Sequence, residues 1–484
     1  MKKRLNTKNN NKKKQVVEKT TNLEKENEKT SNTNSTREAF LTHPLGSLIT
    51  KNALPAVASM LFMALYQVVD GILVGRRLGP EALASINVLF PILAVFIGLA
   101  VMIGIGGNAR IAVLLGAGKT DKARRILGLI VTLGTILGVC GSAVVVLAFP
   151  KILYFIGTSG ELGNYAGQYL KALYPFFTPM ILLFILEQSV RNDGRPNMAT
   201  MVMAAMAILN IVLDYIFLFP LDLGIRGAAL ATGLSQSIGA TVFLIYFLFK
   251  TFGGHTGLSL GAPGGGFSAI GTIVTNGSSE LFNNIAAGLT TFLFNRIILS
   301  HLGALGVAAF ALVQYLLMFG MMILIGMSNG TQPILSYNHG AGLFYRVQGT
   351  LSRLLASSFI IGIIFFILLQ WQTQTLVTLF IPEHPDALDL TVSVADTISW
   401  SMLFMPVGIV GSVFFTAMEK AIHSLVIAIL RGLVFILIGL AVFPLLWGTA
   451  GIWITPVFSE AATALVTTFL IYQWMRSEHL KSSN

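Results

Sequence analysis

The sequence predicts an all-α membrane protein in which twelve transmembrane helices form two related six-helix lobes. Three observations support this fold class. The 484 residues are 54% hydrophobic and 11% charged, whereas about 25% of residues are charged in an ordinary soluble domain. Many apolar runs exceed the roughly 18 residues that a helix needs to cross a bilayer. Short motifs also recur at one fixed distance along the chain.

The predicted spans are helices, because only helices and closed barrels can bond every backbone group internally inside a bilayer. The sequence lacks the segments of about ten residues with alternating polarity that are typical of a transmembrane barrel. Twelve runs are predicted to cross the membrane, at roughly 48–75, 84–115, 125–149, 168–190, 197–219, 226–249, 268–299, 304–336, 350–370, 390–416, 423–446 and 451–475.

Charged residues between the spans predict the orientation of the chain. The connections after predicted spans two, four and eight are basic, whereas Glu383, Asp386 and Asp389 lie between spans nine and ten. The positive-inside rule therefore places both termini in the cytoplasm. The predicted segments are a disordered basic cytoplasmic tail (1–46), an N-terminal six-helix lobe (47–250), an inter-lobe cytoplasmic loop (251–267), a C-terminal six-helix lobe (268–476) and a cytoplasmic tail (477–484). The Lys- and Asn-rich first tail is predicted to set topology and not to bind nucleic acid.

An internal repeat relates the two predicted lobes. Leu78-Gly79 recurs as Leu302-Gly303, and 302 − 78 = 224. The same offset, with no gap, relates three further motifs: Gly116-Ala117-Gly118 to Gly340-Ala341-Gly342, Phe219-Pro220-Leu221 to Phe443-Pro444-Leu445, and Gly227 to Gly451. Each unit holds an even number of spans, so both enter the membrane in the same sense. This arrangement predicts a pseudo-two-fold axis along the membrane normal with a central cavity between the lobes.

An ionisable side chain lies within the first predicted span. Asp70 follows Tyr66 by one helical turn, Gln67 lies on the neighbouring face, and Pro55 is expected to allow a kink. A carboxylate in such a run is unfavourable unless water, a proton, a cation or a hydrogen-bonding partner meets it. Asp70 is therefore a candidate functional residue; the alternative is a charge near the outer membrane surface.

A second polar pair lies in the fifth predicted span. Asn210 and Asp214 are four residues apart, so both side chains point the same way, and Thr232 in the sixth span could add a hydroxyl. Oxygen ligands of this kind suit a hard cation, and a desolvated carboxyl also suits a proton. The alternatives are a hydrogen bond between helices for the pair and simple packing for Thr232.

The repeat indicates that these polar residues belong to one lobe only. At the offset of 224, the partners of Asp70, Asn210, Asp214 and Thr232 are Phe294, Val434, Ile438 and Pro456. A structural need shared by both lobes would not require polar residues in one alone. We therefore predict that the first lobe is chemically specialised and that its carboxylates bind a coupling ion, H⁺ or Na⁺.

The second lobe has an intramembrane acid of its own. Glu280 lies among Ser and Asn residues, including Asn283. It could attract a cationic substrate or form a second ion site; the alternative is a satisfied structural network. Glu280 and Asn283, together with Tyr66 and Gln67, form the set of residues predicted to contact substrate.

Other polar residues are predicted to be structural. Glu187, Asp193 and Glu419 lie near predicted cytoplasmic span ends and are assigned to the membrane interface. Cys140 is the single cysteine, which excludes a disulfide framework, and its apolar surroundings predict a packed thiol.

The chain resembles the multidrug and toxic compound extrusion (MATE) family, within the wider flippase-related superfamily. The resemblance covers roughly residues 45–475 and rests on four stretches: ALYQVVDGILVGRRLGPEALAS, LLGAGKTDKARR, RNDGRPNMATMVMAAMAILNIVLDYIF and GIRGAALATGLSQ. It implies twelve helices in two six-helix lobes and the export of organic cations against Na⁺ or H⁺.

The resemblance is to the bacterial and archaeal branch that uses a first-lobe site. That branch places an Asp in helix one, an Asn and an Asp one turn apart in helix five, and a Thr in helix six. In this sequence, the matching residues are Asp70, Asn210, Asp214 and Thr232. Another branch couples through an acid in helix seven and an Asp in helix ten. Glu280 matches the helix-seven acid, but Asp396 lies too near the outer start of its span to match the helix-ten Asp.

These observations together predict a multidrug efflux antiporter that exports amphipathic organic cations in exchange for H⁺ or Na⁺ by alternating access of the two lobes. The alternative is a lipid-linked oligosaccharide flippase of the same superfamily, which should need a strongly basic cavity, and intramembrane Lys and Arg are few. An enzyme is not predicted, because the spans lack mid-membrane His. No cofactor is expected beyond the coupling ion. The expected partners are small organic cations and the lipid bilayer, not nucleic acid, and the chain is expected to be a monomer in the cell membrane.

Overall fold

The computed structural model describes residues 36–155, 160–253, 257–378 and 385–482, and these residues contain helices and no strand. A short helix over 36–42 precedes the first span. The predicted disordered tail lies, up to residue 35, outside the described residues.

The spans are numbered here as the structure has them. The first lobe consists of span 1 (Leu45–Leu78), span 2 (Pro80–Gly116), span 3 (Thr120–Phe155), span 4 (Gly160–Leu173 and Phe177–Asn192, joined by a 3₁₀ turn at Tyr174–Phe176), span 5 (Pro196–Leu218) and span 6 (Ile225–Phe252). The second lobe consists of span 7 (Gly266–Gly303), span 8 (Leu305–Gly340), span 9 (Phe344–Thr378), span 10 (Pro385–Ile398 and Ser401–Ala417), span 11 (Ala421–Trp447) and span 12 (Thr449–Ser482).

Among the described residues, eleven helices are long and apolar enough to cross a membrane, and the two halves of span 10, bent by 50°, bring the number to twelve. Span 4 is interrupted at the corresponding place in the first lobe, where Pro175 lies in the 3₁₀ turn. The predicted helical fold of twelve spans is therefore confirmed, and the chain is a multi-pass membrane protein.

Matched turns show that the two lobes are related by the predicted offset. Gly79 and Gly303 end the first span of each lobe at φ 87° and 65°, and Gly224 and Gly448 begin the last at φ 61° and 59°. These positive φ values are readily adopted only without a Cβ, so the recurrence of Gly has a conformational cause.

The predicted register is wrong at one turn. Gly194 and Glu419 take the equivalent positive φ, 78° and 54°, but they are 225 residues apart. Spans 5 and 11 accordingly begin at Pro196 and Ala421. The offset has returned to 224 by Gly448, so a one-residue shift is confined to this part of the second lobe. In the shifted register, the partners of Asn210 and Asp214 are Phe435 and Gly439, which are also apolar.

The lobes contact each other along spans 1, 2, 7 and 8, where glycines of one lobe lie against the backbone of the other. A Cβ on Gly116 would overlap the carbonyl oxygen of Tyr337, and a Cβ on Gly340 would overlap that of Val113. Gly340 lies 224 positions after Gly116, and Tyr337 lies 224 positions after Val113, so the contact is reciprocal. These contacts lie near the end of the molecule that carries the N-terminal helix, which we call the closed end.

Polar contacts across the lobes hold the closed end together. Arg110 of span 2 pairs with Glu419 at 2.8 Å, and the Tyr337 hydroxyl donates to the Asn192 carbonyl at 2.8 Å. The N-terminal helix bridges the same seam: Arg37 donates to the Gly116 carbonyl, and Phe40 stacks on the Tyr337 ring with centroids 4.6 Å apart.

Cys140 is exposed on the outside of span 3. The predicted packed thiol is therefore wrong. A run that is apolar all round its helix does not show which face contacts lipid and which face packs.

Candidate functional site

The structure brings the two first-lobe acids together. Asp70 comes from the last third of span 1 and Asp214 from span 5, and their carboxyl groups lie within hydrogen-bonding reach of each other. The side chain of Asp214 has 0% of its surface exposed. Two ionised carboxylates at this separation repel each other strongly, so a proton or a cation between them is required for a stable arrangement.

Neutral polar groups surround this pair. With its amide oriented so that both ends are bonded, Asn210 donates to Asp214 Oδ2 at 3.2 Å and accepts from the Thr232 backbone N–H at 3.3 Å. All four residues predicted to form the ion site, Asp70, Asn210, Asp214 and Thr232, therefore lie in one cluster.

Two members of the cluster were not predicted from the sequence. Tyr169 of span 4 lies within hydrogen-bonding reach of Thr232, and Gln236 of span 6 is within reach of Tyr66. Gln236 lies one turn after Thr232, so the i, i+4 spacing could have found it. Tyr169 carries no comparable signal, because only the packing of span 4 brings it here.

The acids retain oxygen atoms that no protein group satisfies. Within the described part of the chain, Asp70 Oδ1 and Asp214 Oδ1 are buried without a hydrogen-bond partner. The described residues contain no group of three or more His, Cys, Asp or Glu able to hold a metal ion. Two carboxyls with an amide and a hydroxyl supply oxygen ligands of low total charge, which suits a proton or a small monovalent cation better than a transition metal.

The two lobes contain cavities of different size. A first-lobe cavity lined by Tyr66 and Gln236 measures about 40 Å³, and none of the four residues of the predicted ion site lines it. A second-lobe cavity lined by Glu280 and Asn283 measures about 470 Å³. Drug-sized ligands occupy pockets of about 300–1,000 Å³, so only the second of these cavities can hold one.

The four residues predicted to contact substrate do not form one site. Glu280 and Asn283 are within hydrogen-bonding reach of each other in the second-lobe cavity. Tyr66 and Gln67 contact each other in the first lobe, beside the acids. The second-lobe cavity also contains an ion pair between Arg431 and Glu460, with Nε 2.8 Å from Oε1.

The second lobe has apolar side chains where the first has acids. Phe294, the counterpart of Asp70, stacks on Phe310 with ring centroids 5.1 Å apart, and both belong to the apolar core of that lobe. At this position, the first lobe therefore has an acid in its polar cluster and the second lobe has an aromatic ring in its apolar core.

Glu187 and Asp193, which are predicted to lie at the membrane interface, have side chains packed inside the protein near the end of span 4. Glu187 is 3% exposed and Arg191 is 2% exposed, and they form a buried ion pair one turn apart with Arg191 Nε 2.8 Å from Glu187 Oε1. Asp193 is buried against Lys250 and Tyr246. Opposite charges one turn apart near a span end resemble an exposed pair in sequence, and only the packing shows that they are inside.

Replacing Glu187 with Ala is expected to lower the free energy of unfolding by about 3–5 kcal/mol, because it leaves Arg191 buried without its counter-charge. The measurement is thermal unfolding of the purified protein in detergent. Asp121→Ala is the control: it breaks the exposed pair with Arg124, and such pairs contribute about 0–1 kcal/mol. Equal unfolding temperatures for the two variants would contradict the expectation.

Comparisons with known proteins agree with this architecture. The family model described as MatE matches residues 55–216 and 282–441. The multidrug export protein MepA of Staphylococcus saprophyticus is 27% identical over 420 residues, which covers 87% of this chain and 92% of that protein. MepA of Staphylococcus aureus strain MSSA476 is 25% identical with the same coverage.

Solved structures share the fold. An outward-facing conformation of a multidrug resistance MATE family transporter has a TM-score of 0.85 at 24% identity, covering 92% of this chain and 98% of that one. A MOP superfamily transporter from Pyrococcus furiosus has a TM-score of 0.84 at the same identity and coverage.

Proposed function

The chain belongs to the MATE family, and we propose that it is a multidrug efflux antiporter that exports amphipathic organic cations in exchange for H⁺ or Na⁺. The curated relatives, which match over most of their length, are named multidrug export proteins. We propose further that the chain is a monomer in the cell membrane with both termini in the cytoplasm. The closed end then faces the cytoplasm.

The observation that carries the proposal is the separation of two acidic sites. Asp70 and Asp214 meet within the first lobe, where Asp214 has no exposed surface and each acid keeps a buried oxygen without a hydrogen-bond partner among the described residues, so this place suits an ion and not a drug. Glu280 lies in a cavity of about 470 Å³ with mostly apolar walls, which admits an amphipathic cation. We assign the first to the coupling ion and the second to the substrate.

Coupling requires that the two ligands favour different conformations. An ion shifts the equilibrium between conformations only by the difference in its affinity for them. Asp70 is on span 1 and Asp214 on span 5, and span 1 also contributes to the lobe seam through the contact of Ala53 with Gly330 of span 8. Ion binding between spans 1 and 5 can therefore change how span 1 packs against the second lobe.

The experiment is efflux of ethidium from proteoliposomes under an imposed pH gradient and, separately, an imposed Na⁺ gradient. We expect one of the gradients to drive ethidium against its own concentration gradient. Movement of ethidium only down its concentration gradient, with either ion, would contradict an antiporter.

The alternative of a lipid-linked oligosaccharide flippase is not favoured by the cavity. Its ionisable lining among the described residues consists of Glu280, Glu460 and Arg431. Two acids and one base attract cations, whereas a pyrophosphate-linked substrate requires a positively charged site.

A further inference from the structure

The residues that precede span 1 contact both lobes at the closed end, and we call residues 36–43 the N-terminal latch. On the first-lobe side, Arg37 Nε donates to the carbonyl of Gly116, the last residue of span 2, at 3.0 Å. Thr36 lies against Gly194 in the turn between spans 4 and 5, where a Cβ would come within 2.6 Å of Thr36 Cγ2.

The second lobe binds the backbone of the N-terminal latch. The Phe40 carbonyl accepts from Asn338 Nδ2 at 3.2 Å and from a terminal nitrogen of Arg346 at 3.3 Å. The same nitrogen donates to the His43 carbonyl at 2.8 Å. Arg346 is 7% exposed, and its Nε donates to Asn338 Oδ1 at 2.9 Å, so these donors from spans 8 and 9 are themselves held in place.

The Phe40 side chain is buried in the seam between the lobes. It is 3% exposed, and its ring stacks on Tyr337 of span 8 with 21° between the ring planes. Both rings belong to an apolar cluster that also contains Leu115 of span 2. A buried aromatic ring contributes a large apolar area to the packing that holds it, so Phe40 stabilises the contact between the lobes.

The internal repeat shows that these side chains belong to one lobe only. The loop before span 7 occupies the equivalent position in the second lobe, and it also contacts the third span of the opposite lobe, because the Gly261 N–H donates to the Arg124 carbonyl at 3.2 Å. At the offset of 224, however, the counterparts of Arg37 and Phe40 are Gly261 and Gly264. The loop therefore has no side chains that correspond to those of the N-terminal latch.

Opening of the closed end would break the contacts of the N-terminal latch with one lobe. Gly116 and Tyr337 belong to different lobes, whereas Arg37 and Phe40 are three residues apart on one helix. The latch cannot stay bonded to both lobes when they part. A contact that is made in one conformation only shifts the equilibrium towards that conformation.

We propose that the N-terminal latch favours the conformation in which the closed end is shut, and that it must release either Gly116 or Tyr337 before this end opens. The inference goes beyond the proposed function, because it concerns the balance between conformations and not the ion or the substrate. It rests on alternating access of the two lobes, which is part of the proposed function.

The test measures how often the seam opens, without a drug or an ion gradient. Ala56→Cys places a thiol on span 1, where Ala56 is 1% exposed and its Cβ would lie 2.8 Å from a Cβ on Gly330 of span 8. Cys140→Ser removes the native thiol. The rate at which N-ethylmaleimide modifies the purified protein, followed by intact mass, reports the population of the open conformation when opening and closing are faster than modification.

The double variant Arg37→Ala/Phe40→Ala removes both side chains of the N-terminal latch that contact the seam. Because it loses a hydrogen bond and a buried ring of the closed conformation, we expect modification to be about tenfold faster than in the parent. Arg37→Gln removes the guanidinium donor and leaves Phe40 in place, so an increase of about threefold is expected. This single variant also provides the test if the double variant does not fold.

Glu38→Gln is the matched control, because Glu38 is exposed on the same helix, and its modification rate should stay within about twofold of the parent rate. A second reporter, Ala229→Cys in the apolar core of the first lobe, distinguishes opening of the seam from general loosening. Its rate should not change in the latch variants. An unchanged rate at Ala56→Cys in a folded latch variant, or equal acceleration at both reporters, would overturn the inference.

The labelling and efflux experiments can fail independently. If no gradient drives efflux but the latch variants accelerate modification at Ala56→Cys alone, the proposed function fails and the N-terminal latch remains. If efflux is gradient-driven but modification is not accelerated, the proposed function remains and the N-terminal latch fails.

Discussion

Asp214→Asn should reduce ion-driven efflux to the level of protein-free vesicles. Asp214 is fully buried in contact with Asp70, so bulk solvent does not compensate its charge. Asn has nearly the same shape but neither binds a proton nor provides a negative charge. We expect the same result for Asp70→Asn. The measurement is the rate of ethidium transport in proteoliposomes with the gradient that drives the wild-type protein.

The control for these substitutions is Asp222→Asn. Asp222 pairs with Arg77 but is 68% exposed, and surface pairs of this kind contribute about 0–1 kcal/mol. Its transport rate should stay within about twofold of the wild-type rate, which corresponds to less than 1 kcal/mol. Ethidium binding to the purified protein, which the proposed function assigns to the second-lobe cavity, should be retained in all three variants. Wild-type transport in both Asp70→Asn and Asp214→Asn would exclude the first-lobe site.

The double variant Gly116→Ala/Gly340→Ala is expected to separate the lobes at the closed end. Each new Cβ would lie against a backbone carbonyl of the opposite lobe, inside the 3.0 Å that Cβ atoms keep from other heavy atoms. Backbone cannot move aside as a flexible side chain can, so the lobes must part. Overpacking typically costs about 1–3 kcal/mol per site, and about 5.5 kcal/mol is enough to invert a 1:99 equilibrium.

Spin labels on the two lobes can report this separation. Lys119→Cys and Tyr345→Cys are exposed positions beyond the ends of spans 2 and 8, and Cys140→Ser removes the native thiol. We expect a longer and broader distance distribution in the glycine variant than in the parent. Gly271→Ala is the matched control, because a Cβ at this position of span 7 has no heavy atom within 4 Å. An unchanged distribution in the double variant would show that the seam tolerates these side chains.

The fold could be predicted from the sequence because its main features are local or periodic. The length of the apolar runs identifies the membrane helices. Glycines recur at the same positions of both lobes because the turns there have positive φ. The one-residue shift at Glu419 could not be predicted, because a non-glycine residue with φ 54° stands where the first lobe has Gly194, and this leaves no matching residue in the sequence.

The first-lobe cluster was predictable for a related reason. Asn210 and Asp214 share a helix face by spacing, and the contrast with the second lobe marks them as unusual. The pair of Arg431 and Glu460 was not predicted, because its partners are 29 residues apart on different spans. Arg431 lies in a π-helical turn of span 11, Leu430–Val434, and such a turn leaves no periodic signal in the sequence. The burial of Glu187 likewise depends on how span 4 is rotated within its lobe.

The first-lobe site is tested by asking whether substrate movement drives ion movement. Proteoliposomes receive an ethidium gradient with no initial ion gradient, and internal pH and ²²Na⁺ content are followed. In the wild-type protein, ethidium moving one way should carry H⁺ or Na⁺ the other way, and the variant Asp70→Asn/Asp214→Asn should show no ion movement. Ethidium-driven ion movement that persists in this double variant would contradict a coupling site formed by Asp70 and Asp214.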